Sequence, residues 1–256
     1  MKVLLRNILL FLFALACFGN ANGQERNYMY YSGGYNFSKP DMDGLNFVID
    51  RYNENRPDQV RKLDNIDWMH GFTVGGGLII AQSFLVEVGF TQRESNGYAE
   101  GYLVNNPNLH QFDLRTNIST IGLGVGKYLL WEKGFKLVAG SHFELGSTKV
   151  LWRLYDTTVE AKPGYENAKE RATLDGDNPL FAITPYLQFS YSPWGEEFEI
   201  ALKPYYQFEM NESDFRFANQ VFNSFSYEQD SPESTKSRSN NYGVQLKMNV
   251  FVKINL

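Results

Sequence analysis

Cysteine is almost absent from this chain of 256 residues, because the one cysteine is Cys17 near the N-terminus. A disulfide framework is therefore excluded. Long apolar runs are also lacking beyond residues 8–18, and the mean hydropathy is −0.37. No later segment could form a membrane-spanning helix. Basic residues are outnumbered, 24 against 29 acidic ones, and since nucleic-acid binding requires the opposite balance we expect no nucleic-acid partner.

The N-terminal segment has the layout of a secretory signal peptide. Lys2 and Arg6 precede the apolar run, and the small residues at 21–23 follow it. The run falls short of the roughly 20 residues that span a bilayer. We therefore expect residues 1–23 to be cleaved and residues 24–256 to form one domain.

Cys17 allows a second interpretation of this segment, in which it is the lipidated residue of a lipoprotein. Leu15, however, stands one place away from the position that a lipoprotein signal usually gives it. With a cleaved signal the mature chain has no cysteine, and thiolate chemistry is excluded along with disulfides.

The last fifteen residues alternate without a break, with apolar side chains at the even positions from Tyr242 to Leu256. The odd positions are mostly polar. Successive side chains of a strand point to opposite faces, so the segment predicts a strand with one apolar wall and one mostly polar wall. Lipid on one side and a polar lumen on the other account for this pattern. We expect this strand to close a barrel by pairing with the first strand.

Eight segments in all have strand-like patterns, and each reaches or approaches the 9 to 11 residues that a tilted membrane strand needs. They are residues 28–37, 66–79, 84–92, 111–128, 135–151, 181–191, 197–208 and 241–256. Their connections alternate in length. Residues 81–83, 131–134 and 192–195 are short turns, whereas residues 38–65, 93–110, 152–180 and 209–240 are long and polar.

This alternation is typical of outer-membrane barrels, whose short turns face the periplasm. The sequence predicts an all-β fold, an eight-stranded antiparallel up-and-down transmembrane β-barrel with short periplasmic turns and long extracellular loops. Its location would be the outer membrane, with membrane lipid around it.

Two features depart from a regular barrel. Pro185 and Pro204 lie inside predicted strands, where each removes a ladder hydrogen bond, so they indicate a bulge or a weakly paired seam. In the fourth strand the apolar parity changes along the segment 112–125. A β-bulge near Ser119 would explain that change.

Strand parity places eight charged or titratable side chains on the inner wall. They are Glu87, Asp113, Arg115, His142, Glu144, Glu199, Lys203 and Lys247. An eight-stranded barrel is just wide enough for side chains to fill it, and buried charges must be paired. We expect a lumen network that plugs the barrel, and a narrow proton or ion path is the alternative.

The four tryptophans are predicted to be interface anchors of an aromatic girdle. Trp131 and Trp194 would lie at the periplasmic interface, with Trp68 and Trp152 near the outer one.

No motif indicates catalysis, a metal or a cofactor. The glycines at 122–126 lack the first glycine and the Ser or Thr of a phosphate-binding loop, and the histidines have no metal-ligand spacing. His110, beside the second long connection, is the one candidate for a rim-sited lipid enzyme. We expect a protein that is not an enzyme and that holds no metal or cofactor.

The long connections contain two apolar patterns. Leu45, Val48, Ile49 and Tyr52 have helical spacing, which predicts a short amphipathic helix that caps the barrel or lies at the lipid interface. The fourth connection contains four phenylalanines that either bind a partner or pack on the barrel rim. These are Phe215, Phe217, Phe222 and Phe225.

The order of these features resembles the outer-membrane β-barrel domain proteins of Gram-negative bacteria, the PorT-like group among them. The resemblance is carried by residues 33–38 of the first strand, the helix-like insert at 44–53 and the alternating strands that follow. The chain ends in Leu256, where many such barrels end in Phe. The resemblance implies an eight-stranded barrel, and some members act in secretion or envelope assembly.

Together these observations predict a non-enzymatic integral outer-membrane protein whose loops or periplasmic rim contact a protein of the cell envelope. The alternatives are an accessory subunit of an outer-membrane secretion or assembly complex, a narrow channel, and a rim-sited lipid-modifying enzyme.

Overall fold

Strands make up most of the structure, which is a computed structural model. It describes residues 27–102, 109–156, 170–195, 197–222 and 234–254. The side chains of residues 156 and 170–175 are not described. The predicted signal peptide, Cys17, Phe225 and Leu256 lie outside the described residues. The described strands are β1 (Asn27–Pro40), β2 (Met69–Ile80), β3 (Phe84–Tyr102), β4 (Leu109–Glu132), β5 (Phe135–Asp156), β6 (Glu170–Tyr191), β7 (Phe198–Glu209), β8 (Ser213–Asp214), β9 (Lys236–Ser237) and β10 (Asn241–Ile254). The described helices are α1 (Asp43–Glu54) and α2 (Arg216–Phe222).

Eight of these strands form a closed antiparallel barrel in the order β1-β10-β7-β6-β5-β4-β3-β2. The predicted fold class is thereby confirmed. The last strand closes the ring against the first, with a register that runs from Asn27 opposite Ile254 to Pro40 opposite Asn241. Its even positions face outward, as the alternation predicts. The short strands β8 and β9 form a separate pair.

The short turns lie at one rim of the barrel. Residues 80–83 form a tight turn whose central residues Ala81 and Gln82 have φ near +50°, and Lys133 and Gly134 repeat this geometry between β4 and β5. Positive φ at both central residues matches the turn to the right-handed twist of the strands. Since outer-membrane barrels place their short turns in the periplasm, this rim is the periplasmic one.

Four strands are longer than the sequence predicts. β4 has 24 residues, β5 and β6 have 22 each, and β3 continues to Tyr102. Much of the predicted loops 93–110 and 152–180 is therefore strand. At about 3.3 Å per residue and a tilt of roughly 40°, β4 alone rises about 60 Å, more than twice the apolar band of a membrane barrel. The part of β3 to β6 beyond this band, with α1 and α2, is the extracellular extension.

The extension has its own apolar core, formed by helix α1 and the inner faces of the strands. Leu45, Val48, Ile49 and Tyr52 of α1 are fully buried, which confirms the predicted helix and shows that it caps the barrel. Around them pack inward-facing side chains of the strands and of α2. These include Phe112, Leu114, Ile118, Val150, Trp152, Leu180, Phe215 and Phe222.

The predicted β-bulge near Ser119 is wrong. β4 pairs with β3 and β5 without a break through this residue, and the register shift lies instead between Tyr128 and Leu130. Even-numbered residues face inward on both sides of Ser119, so Leu114 is buried whereas Leu123 is 66% exposed. The apolar parity changes because the surroundings change. Outside the barrel, lipid gives way to water, and inside it the polar lumen gives way to the apolar core.

Candidate functional site

Glu87 lies at the centre of a buried polar cluster in the membrane-spanning part of the lumen. Its Oε1 accepts hydrogen bonds from the Tyr186 hydroxyl and from Lys203 Nζ, the latter at 3.0 Å, and lies 2.6 Å from His142 Nε2. Its Oε2 accepts a hydrogen bond from the Tyr30 hydroxyl at 2.7 Å. A buried carboxylate with this many donors is well satisfied.

Two ammonium groups share this one carboxylate. Lys247 Nζ lies 3.9 Å from Glu87 Oε2, and Lys203 Nζ also lies 2.9 Å from His142 Nε2. Lys203 further lies over the Tyr186 ring, 3.6 Å from its centroid. The positive charge of the cluster is thus held by one anion and an aromatic face.

Glycines of β4 make room for this cluster. A Cβ at Gly124 would lie 2.9 Å from Glu87 Cγ and 2.9 Å from the imidazole of His142, and one at Gly122 would lie 2.9 Å from His142 Nδ1. Close approach of neighbouring groups is a common reason for glycine inside a strand. The glycine-rich run therefore serves packing in the barrel.

A second buried pair lies nearer the periplasmic rim. Lys136 Nζ lies 2.8 Å from Glu199 Oε2, and Asn249 donates to Glu199 Oε1 at 2.6 Å. The ammonium group also faces the rings of Trp131 and Phe251, at 4.4 and 4.1 Å. The aromatic rings and the ion pair close this end of the lumen.

A third group of side chains lies toward the extracellular extension. Gln207 donates to Glu144 Oε2 and accepts from Arg93 at 3.1 Å. Arg93 lies 3.4 Å from the Tyr205 hydroxyl, which in turn donates to Asn36 Oδ1 at 3.0 Å. Arg93 is 1% exposed, and together with Lys136 it is a charged lumen residue that the sequence analysis missed.

The structure places six of the eight predicted network residues in the lumen and contradicts the other two. Asp113 and Arg115 face the outside of the extension, where Gln111 donates to Asp113 at 2.7 Å and Arg115 donates to Asn96 at 3.0 Å. Their placement inside was wrong because it assumed a bulge in β4.

Two of the four predicted tryptophan anchors are also placed differently. Trp152 is buried in the core of the extension, 4.2 Å from the Phe222 ring centroid. Trp131 packs inward on Tyr128, at a ring separation of 4.6 Å, because the register shift in β4 reverses its parity. Trp68 and Trp194 are 62% and 69% exposed, and their role as interface anchors stays a prediction.

The extracellular mouth is closed by the cap around α1. Asn46 and Asn53 exchange hydrogen bonds with the backbone of Ile66 and Leu63, which fixes the following segment on the helix. Arg56 lies 4.1 Å from the Tyr52 ring centroid, and burial raises the pKa of the Tyr52 hydroxyl above its ordinary value. These contacts hold α1 in place, and the apolar core around it closes the lumen on this side.

The remaining questions from the sequence concern His110, a metal site and the phenylalanines of the fourth connection. His110 is fully buried, so it does not lie at an accessible rim. Among the described ranges, no group of three or more His, Cys, Asp or Glu side chains could hold a metal ion. Phe215 and Phe222 pack into the apolar core, and Phe217 is half exposed.

The outside of the barrel is a belt of exposed apolar side chains. Representative members are Tyr31, Phe72, Val88, Leu123, Phe143, Leu187, Leu202 and Met248. No helix in the described residues has the length and apolarity needed to cross a membrane. A closed antiparallel barrel with an apolar belt satisfies every ladder within lipid, as the proteins of the bacterial outer membrane do. The chain is an outer-membrane β-barrel.

No protein-family model and no curated protein matches the sequence. Among solved structures, the barrel is similar to Ail of Yersinia pestis, solved in complex with the heparin analogue sucrose octasulfate, with 12% identity over 89% of this chain and 99% of that chain and a TM-score of 0.42. OprG of Pseudomonas aeruginosa is 12% identical over 90% of this chain and 98% of that chain, with a TM-score of 0.43. Neisserial surface protein A is 9% identical over 89% of this chain and 99% of that chain, with a TM-score of 0.39. At these identities and scores the likeness says nothing of function.

Proposed function

We propose that this barrel is a closed, non-enzymatic component of the cell envelope that binds a protein partner through the outer face of its extracellular extension. The observation that carries the proposal is that the lumen is blocked twice in series. The Glu87 cluster fills the membrane-spanning part, and the apolar cap around α1 fills the mouth. A barrel closed in this way offers its surfaces, rather than its interior, for function.

The outer face of the extension supports the binding role. A polar groove of about 330 Å³ lies across β3, β4 and β5, between Tyr98 and Tyr155, with Arg115 and Arg153 in its lining. The Arg61 guanidinium lies 3.8 Å from the Tyr98 ring centroid. Arginine and tyrosine are enriched at protein interfaces and dominate their binding energy, so this groove is our candidate contact surface.

The resemblance to PorT-like barrels supports the second candidate, an accessory subunit of a secretion or assembly complex. Such a subunit would contact its partner at either rim. Two charge-reversal variants show which rim makes the contact. Arg115→Glu alters the extension, and Lys133→Glu alters a periplasmic turn.

Affinity purification from native membranes tests the partner. We expect one protein to be recovered in near-stoichiometric amount with the wild type and the Lys133→Glu variant, and to be lost with Arg115→Glu. The reverse pattern would assign the contact to the periplasmic rim and favour the accessory subunit. If no partner is recovered from membranes in which the barrel is folded, the binding role is wrong.

Conductance in planar lipid bilayers tests the closed lumen. The purified protein should give no steady current under conditions in which an open porin conducts. A steady current that changes in Glu87→Gln would instead show that ions pass through the polar cluster, and the channel alternative would replace the plug.

A further inference from the structure

The β6–β7 seam is the least paired seam of the barrel. Its register connects Ala182 to Glu209 and Ile183 to Phe208, then Tyr186 to Tyr205, and resumes only at Phe189 opposite Leu202. The other described seams of the ring pair without a break or with one register shift. Of the two explanations that the prolines suggested, the weakly paired seam is the one observed.

The two prolines account for the gaps. Pro185 and Pro204 lie within the interrupted stretches of β6 and β7, and neither has an N–H to donate to the ladder. Proline belongs at sheet edges or bulges, and a closed barrel has no free edge. At these positions β6 and β7 therefore lack ladder hydrogen bonds, as strands at the edge of a sheet do, although the seam lies within the closed barrel.

A groove lies along this seam on the lipid-facing side. It measures about 710 Å³, within the range of ligand pockets, and apolar side chains such as Leu187 and Phe208 form its walls. On β5 the small residues Ala139 and Ser141 leave the space open. The lining contains no charged side chain, so the groove suits hydrocarbon and not a headgroup.

The groove reaches inward between the strands. Tyr186 and Tyr205 contribute to its lining although both point into the lumen, where they bind Glu87 and Asn36. Gly140 permits this arrangement, because a Cβ there would lie 2.5 Å from the Tyr186 ring. The floor of the groove is thus the outer edge of the buried polar network.

We propose that the β6–β7 seam is a lateral binding site for one acyl chain of a membrane glycerophospholipid. The groove opens on the apolar belt, so the acyl chains of the membrane lie directly against it. The interrupted ladder beneath the groove distinguishes it from the rest of the wall.

A second groove provides the internal comparison. It measures about 660 Å³ and lies over Gly75, Gly76 and Gly77 on the outside of β2, where pairing with β1 and β3 is continuous. The two grooves are similar in size and in apolar character, and they differ in the state of the ladder. A chain held by the open seam should therefore occupy the first groove and not the second.

Photo-cross-linking of the full barrel in lipid nanodiscs tests the site. The probe is phosphatidylethanolamine with a diazirine in one acyl chain, and mass spectrometry locates the cross-links. We expect cross-links on residues 183–187 and 204–208 to exceed those on 74–78 by about fivefold or more. Equal labelling of both grooves would show bulk lipid contact only and would overturn the proposal.

Two variants complete the test. Ala139→Phe fills the seam groove and should abolish the excess, whereas Val74→Phe beside the second groove should leave it unchanged. Unheated gel migration shows in each case that the barrel is folded. Labelling that survives Ala139→Phe in a folded barrel contradicts the site, and so does labelling by a diazirine fatty acid with none by the phospholipid.

Discussion

At the scale of single residues, strand parity predicted the lumen well where the strand boundaries were correct. Glu87, Glu199 and Lys203 lie on well-patterned strands, and their inward direction follows from alternation alone. Arg93 was missed because it lies one residue beyond the predicted end of the third strand. Lys136 has the same parity as His142 and could have been included, but its pairing with Glu199 across the barrel has no signal in the sequence.

The first prediction concerns Glu87. The Glu87→Gln variant leaves Lys203 and Lys247 buried without their carboxylate, and breaking a buried ion pair in this way costs about 3–5 kcal/mol. We expect the free energy of unfolding, measured with denaturant in detergent micelles, to fall by that amount. Glu132→Gln, at an exposed position beside a periplasmic turn, is the control and should change little.

A matched pair of arginines tests the corrected placement of the network. Arg93→Met removes a buried donor to Gln207 and Tyr205 and should lower the unfolding free energy by about 2 kcal/mol. Arg115→Met alters an exposed side chain and should stay within about 0.5 kcal/mol of the wild type. If the costs of the two variants were reversed, Arg115 would belong to the lumen after all.

At the scale of the strands, the number and order of the barrel strands were predictable, and the length of four of them was not. Alternation of apolar and polar residues identifies a strand only while one side of it is apolar. In β3 to β6 the apolar side changes from the outside to the inside, so the pattern appeared to end or to shift at Ser119. The switch of apolar parity is visible in the sequence, but a β-bulge would produce the same switch. The sequence alone therefore does not decide between the two explanations.

Cysteine labelling separates these two explanations, because the sequence has no cysteine after Cys17. On intact cells a membrane-impermeant maleimide should react with cysteine at positions 113 and 115 and should not react at 114 and 116. The continuous β4 points the first two toward water and the last two into the core. Reaction at 114 together with protection at 115 would restore the bulge.

At the scale of the whole molecule, the wall of the barrel continues without a break from the membrane into the water outside it. The belt of exposed apolar side chains requires lipid or detergent, and the closed ladder leaves no unpaired strand edge in that medium. The fold class and the outer-membrane location followed from the alternating strands and turns. The cap could be predicted only as a helix, since its contacts come from strands and connections that are far apart in the chain.

Gel migration tests this architecture directly. The protein should require detergent for extraction, and the unheated sample should migrate faster than the boiled one, because a closed barrel stays compact in detergent at room temperature. A soluble fraction without detergent, or migration that heating does not alter, would be incompatible with a transmembrane barrel.

The apolar core of the extension also gives the assembly of this protein a direction. Leu114 and Trp152 can meet α1 only after their hairpins have crossed the bilayer, so this core is completed on the far side of the membrane. Once packed, this core prevents the strands from sliding back through the membrane. Sliding back would expose the core and draw Asp113 and Arg115 into lipid, where an arginine costs about 2–4 kcal/mol at the midplane.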